Sequence, residues 1–424
     1  MVPNLPSPSR RALLAGTGIA LAGATAGVGA TAPTALPDPV TDQASKWLPG
    51  PTDHRWRPPV SEAHAREAVD RLADEVDRGR ELWAELDADE GFTGDGGHLE
   101  SAREDLDNGD YREALFSATY GLEFAAEDVG FALARLDRPE ADPERLAERG
   151  GALRERADRV LDGIDGYPVV DAGRDLGWYH EIERRIRFAR LDAHRRDPDR
   201  EREYDDRDIG SIHAGNVEAE QRVRDAEYYR DLLRDRVGDD GDPLADRLDR
   251  LDRQFRERVD GFPERDAVRE EVQALSEDEP YRHARRYLWT WCYDADYRLV
   301  GDDLTLLRAT TAAQALAQRR AHEAAVDALV VEPGDDGFDS GHVVREKRAA
   351  MRRYRRVVGD SPAPLLSILT ERVAEDIDVA EVRRRGGRNG PAWLERVDAY
   401  CYALVARTKL KEYPRIYERF AARE

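Results

Sequence analysis

The chain has 424 residues with 88 acidic and 66 basic side chains, for a net charge of −22. That balance argues against nucleic acid as a partner, because a nucleic-acid binder needs a basic face to neutralise phosphates and arginine runs such as Arg383-Arg384-Arg385 are single-turn patches among acids. The length suffices for one large core or two domains of ordinary size.

At the N-terminus, Ser9-Arg10-Arg11-Ala12-Leu13-Leu14 runs into a charge-free Gly/Ala-rich segment ending in small residues before a cut site after Ala30. A charged start, a modest apolar middle and a small-residue cleavage site make residues 1–30 a removable export signal. An internal helix fits poorly, since Gly16, Gly18, Gly23, Gly27 and Gly29 would each cost about 1 kcal/mol in a helix interior. Arg10-Arg11 followed by x-Leu-Leu resembles the signal of the twin-arginine (Tat) pathway. The resemblance implies export in the folded state, with the Tat translocase as partner, to an extracellular or cell-surface location. Loss of Arg10 and Arg11 with the signal takes the net charge from −22 to −24. Only Lys46, Lys347, Lys409 and Lys411 represent lysine among the 66 basic residues, and the composition is similar to that of haloarchaeal proteins. In molar salt the Debye length falls to about 3 Å, which screens a dense carboxylate surface. No cysteine lies just after the cut to carry a lipid, and no later segment offers the ~20 apolar residues of a membrane span, so none is expected after cleavage.

Residues 31–60 are Pro-rich and read as an extended linker. Helical periodicity begins near Ser61, with Val69, Leu72, Val76, Trp83 and Leu86, then Leu115, Ala118, Leu122, Ala125, Val129, Leu133 and Leu136 at intervals of three and four. Further helices are expected over 143–162, 174–196, 212–237, 243–275, 281–300, 302–331, 342–358, 362–384 and 391–411. Strand-like alternation is nearly absent, so the expected fold is all-α: a multi-helix bundle or helical-hairpin array of about a dozen helices.

Two acidic loops correspond, Asp89-Glu90-Gly91-Phe92 and Asp335-Asp336-Gly337-Phe338, each followed by Gly-His and then by Gly-Asp at 109–110 and 359–360. They suggest a degenerate duplication, or chance in a biased composition. The resulting division is a helical unit over 61–200, a central helical segment over 205–300 and a second unit over 302–424. Within 99–137, Gly109-Asp110-Tyr111 before Ala114-Leu115 resembles the turn of tetratricopeptide-type hairpins. The thirty-four-residue recurrence of that family is missing, so the resemblance implies hairpin packing alone.

No His-Glu-x-x-His, no Glu-x-x-His and no close Cys/His cluster is present, and neither is a Gly-rich phosphate loop or nucleophile elbow. No catalytic, cofactor or metal residue is therefore assigned. The densest aromatic cluster, Tyr287 to Tyr297, reads as a helix central to a core. The alternative is a ligand platform of Trp289, Tyr293, Asp296 and Tyr297 for a sugar or a quaternary amine, with Asp296 partly buried. Cys292 and Cys401 lie on helices whose apolar faces should meet a core, where they could form a disulfide after export or pack as thiols. The function expected is that of an exported protein binding an extracellular ligand or partner, or serving as a scaffold. The alternative is a secreted carbohydrate-active enzyme of α/α-toroid type.

Overall fold

A computed structural model describes residues 33–35, 37–46, 48, 50–51, 55–86, 92, 94, 96–195, 203–275, 280–332, 338–385 and 392–422. The expected signal, with Arg10 and Arg11, lies outside the described residues, as do parts of both acidic loops. The helices are α1 (Asp38–Lys46), α2 (Glu62–Leu86), α3 (His98–Asn108), α4 (Tyr111–Arg135), α5 (Pro143–Asp162), α6 (Ala172–Asp192), α7 (Asp206–Val237) and α8 (Ala245–Val259). They continue as α9 (Arg265–Gln273), α10 (Pro280–Cys292), α11 (Thr305–Asp327), α12 (Ser340–Val358), α13 (Pro364–Arg385), α14 (Ala392–Lys409) and α15 (Tyr413–Ala421). The fold is all-α. Among the described residues the sole β-type pairing is an isolated bridge between Val169 and Asp242.

The chain forms two compact units, one of residues 56–252 with 298–309 and 420–424, the other of residues up to 55 with 253–297 and 310–419. This division differs from the three-part reading, because α7 packs on α4, α5 and α6 and so completes the first unit.

In the first unit, α4 lies between α2 and α7. Its buried residues are Leu115, Leu122, Val129 and Leu133 together with the small Ala114, Ala118, Gly121, Ala125, Ala126, Gly130 and Ala132, and the small ones let helix backbones approach closely. A methyl group at Gly130 would come within 2.9 Å of the Gly210 Cα on α7, and one at Gly210 within 2.7 Å of the Glu127 carbonyl oxygen. The α3–α4 hairpin turns where the sequence places it, at Gly109, whose φ of 81° suits glycine and whose N–H caps α3.

In the second unit α14 is central. Tyr400, Cys401, Tyr402, Ala403, Leu404, Val405 and Ala406 are all buried, so this helix is apolar around its circumference. The expectation that the Tyr287–Tyr297 helix would play that part is corrected. Its helix, α10, buries one stripe of Ala284, Leu288 and Cys292, while Tyr287, Trp289 and Trp291 stay half-buried.

Three other features differ. The helix expected over 243–275 breaks between α8 and α9, where Gly261 lowers helix propensity and Pro263 restricts Phe262. The helix expected over 391–411 is found as Ala392–Lys409, but a further helix, α15, follows that was not expected. Within the supposed linker, α1 packs on α12: the Ser340 N–H donates to Asp38 Oδ1 at 3.0 Å, and Arg396 holds both Asp38 and Asp42.

Candidate functional site

The residues singled out for a ligand platform do not form one. α10 stops at Cys292, whose carbonyl oxygen accepts from Arg319 Nη1 at 2.5 Å, while the Ala295 N–H donates to Gln318 Oε1 at 3.0 Å. Side chains of α11 thus satisfy the backbone that a longer helix would have used. Asp296 falls in the turn beyond and is exposed, not partly buried. The rings are engaged internally: Trp289 Nε1 donates to the Arg265 carbonyl at 3.0 Å, and Tyr297 donates to Asp260 at 2.6 Å. Tyr293 lies beneath the Arg319 guanidinium, 3.7 Å from the ring centre. Cys292 and Cys401 are buried free thiols in one apolar cluster, and the bridge between them is not formed. Burial pushes the Cys292 thiol up to about 12, and Cys401 Sγ lies 3.9 Å from the Ala284 carbonyl oxygen.

The first unit holds a cleft of about 950 Å³. Its walls are α5, the end of α6 with the turn after it, the start of α7, and Asp303. The turn is held by three features of the sequence. Gly150 in α5 has no side chain, and a methyl group there would collide with the His194 backbone. Gly215 in α7 similarly makes room for the Asp192 carbonyl. Asn216, fully buried, accepts from the His194 N–H at 3.0 Å and donates to the Leu146 carbonyl at 2.9 Å. Pinned in this way, the turn aims the carbonyl oxygens of Ala193 and His194 at Arg154, whose Nη1 donates to them at 2.7 and 2.8 Å.

The charges around the cleft are unevenly matched. Arg190 bonds both Asp158 and Asp303, at 2.5 and 2.7 Å, and Arg222 Nε lies 2.5 Å from Asp192. Asp208 closes a capping box with Asp205 at the start of α7. Arg154, by contrast, has only the two carbonyls as hydrogen-bond partners among the described residues, and Arg195 has no ion-pair partner among them. Burial and then the neighbouring Arg195 charge push the Arg154 guanidinium below its ordinary value, against a weaker pull from Asp158. The cleft is lined by Asp158, Asp192, Asp208 and Asp303 as well, yet Arg154 and Arg195 form no ion pair with them.

Deeper in the same unit is a buried polar network. Arg185 reaches Glu181 at 3.0 Å and Asp225 at 3.2 Å; Asp225 also takes His64 and Gln221, each at 2.9 Å. Burial would raise Glu181, but Arg184 and Arg185 outweigh it and hold the carboxyl at about 2. Glu183 goes the other way. Burial pushes it up to about 7, although it accepts from Tyr167 and from the Leu306 and Leu307 N–H groups at the start of α11. Both are structural: Glu183 caps a helix N-terminus and Glu181 anchors two arginines.

Sequence reasoning picked none of the cleft residues. The signals were the Gly150-Gly151 pair inside a predicted helix, where each glycine costs about 1 kcal/mol without a packing reason, and an asparagine amid the apolar face of α7.

Two family models cover most of the chain. Residues 63–240 match a domain of unknown function, DUF8262, and residues 241–422 match a second, DUF8264. The first match contains nearly all of the cleft; Asp303 lies in the second. No curated protein and no solved structure matches. No described helix is long and apolar enough to cross a membrane, and no group of three or more His, Cys, Asp or Glu among the described residues could hold a metal ion.

Proposed function

We propose that the chain is an exported all-helical binding protein whose first unit receives a small anion in the cleft at Arg154. The observation that carries this reading is the Arg154 guanidinium, partnered by two carbonyl oxygens and set beside Arg195 in an open cleft. A carboxylate or phosphate placed between these two cations would pair with them and make charge-assisted hydrogen bonds, each contributing about 1.5–3 kcal/mol. The leader with Arg10 and Arg11 supports delivery outside the cell through the Tat translocase, and the acidic, arginine-rich composition supports work in concentrated salt. The carbohydrate-enzyme alternative drew on an open aromatic platform at Trp289 to Tyr297, and the internal bonds of those rings remove that support.

Calorimetric titration with citrate and with inorganic phosphate at constant KCl tests the site. Saturable binding is expected, weakened about tenfold or more in Arg154→Ala and in Arg195→Ala. Arg195 is exposed and its loss leaves the turn intact, so failure of both anions to bind, or unchanged affinity in Arg195→Ala, overturns the reading. For export, Arg10→Lys with Arg11→Lys should leave the full-length chain in the cytoplasm, and undiminished secretion of that variant would overturn the route.

A further inference from the structure

Along the solvent face of α4, Phe116, Tyr120 and Phe124 are 64, 44 and 38% exposed. Placed at i, i+4 and i+8, they lie in one row about 12 Å long. The rings touch one another. Phe116 and Tyr120 are near-parallel with centres 6.1 Å apart, and Tyr120 and Phe124 meet edge to face at 5.0 Å. His98, at the start of α3, abuts Tyr120 at 4.9 Å and Phe124 at 5.9 Å, which holds the row in place from beneath. The other exposed large hydrophobic side chains among the described residues, Val40, Val170, Leu191 and Leu299, come from four separate segments, whereas these three share one helix face.

The row is also acidic. Glu113, Glu123 and Glu127 share its face at helical spacing, and none of the three has an ion-pair partner among the described residues, although arginine–carboxylate pairs are abundant in this unit. Unpaired carboxylates alternating with ring faces are what an arginine or lysine side chain meets most favourably: the carboxylate answers the charge and the ring quadrupole attracts the cation. A second copy of the chain fits badly, because antiparallel pairing of α4 about Tyr120 would set Glu113 of each copy against Glu127 of the other.

We propose that the Phe116–Tyr120–Phe124 face of α4 docks an arginine- or lysine-bearing segment of a partner protein. The site is separate from the Arg154 cleft, and neither reading depends on the other.

The test uses the full chain, at an ionic strength where circular dichroism shows its folded helix content. The probe is a synthetic amphipathic peptide of leucine and arginine, and its affinity is measured by fluorescence anisotropy. Phe116→Ala/Tyr120→Ala/Phe124→Ala and, separately, Glu113→Gln/Glu123→Gln/Glu127→Gln should each weaken binding about tenfold or more. A control with the same charge change on exposed positions of the second unit, Glu264→Gln/Asp266→Gln/Glu270→Gln, should bind as the unsubstituted chain does. All altered rings are surface-exposed, so each variant should keep the helix content. Equal loss in the control would mean that net charge alone attracts the peptide, and undiminished binding by the ring variant would mean that the row is not the site. Either result overturns the proposal, as would a dimer in sedimentation that the ring variant abolishes.

Discussion

Two buried charge sites, one in each unit, differ in redundancy. In the first, charges are shared: Asp225 answers to His64, Gln221 and Arg185, and Glu181 to Arg184 and Arg185, so each group keeps a partner if one is lost. In the second, Lys409 Nζ bonds Asp376 at 2.9 Å with both groups buried beside an apolar helix. Redundancy should make the first site tolerant and the second brittle.

The sharpest break in that comparison is Lys409→Met. It leaves the Asp376 carboxylate buried without its partner and should cost about 3–5 kcal/mol in denaturant unfolding, whereas Lys409→Met with Asp376→Leu should recover most of the loss. A single variant as stable as the unsubstituted chain would mean that water reaches the pair. Next comes Glu183. Burial lifts its folded-state pKa from an ordinary 4.5 to about 7, so the folded chain holds this proton more tightly than the unfolded chain. Its contribution is present in full below pH 4.5 and is lost as pH rises to about 7, a fall of about 3 kcal/mol at most. Unfolding free energies across that window should show the decline, and Glu183→Gln should flatten it. The smallest effect is expected for Arg185→Met, about 2 kcal/mol, because Arg184 still holds Glu181 and His64 still holds Asp225. A cost equal to that of Lys409→Met would refute the contrast.

Much of the fold is legible from local chemistry. Asn108-Gly109-Asp110 marks the α3–α4 turn, and the alanine and leucine positions of α4 recur at helical intervals because that face is buried. What escapes is decided at a distance. α10 ends at Cys292 because Arg319 and Gln318 satisfy the backbone there, and no periodicity within residues 281–300 encodes that. The Asp296 error follows from it: angular position on a helix has no meaning for a residue beyond the end of that helix. The cleft was illegible for a similar reason, since Arg154 is one of many arginines in the sequence and becomes distinctive when Gly150 and Asn216 bring a turn onto it. The aromatic row was in plain view as Phe116, Tyr120 and Phe124, but in sequence an exposed stripe and a buried one share the same spacing.

The latch formed by α1 has a consequence for the order of events in synthesis. Asp38 and Asp42 find Ser340 and Arg396 at separations of 302 to 358 residues, so the earliest part of the folded chain stays unfastened until nearly all of it has left the ribosome. This fastening starts only a few residues past the proposed cut after Ala30. A transporter that accepts finished proteins would meet a leader whose own base is clasped only when the far end of the polypeptide is in place, and completeness would be reported at the point of recognition.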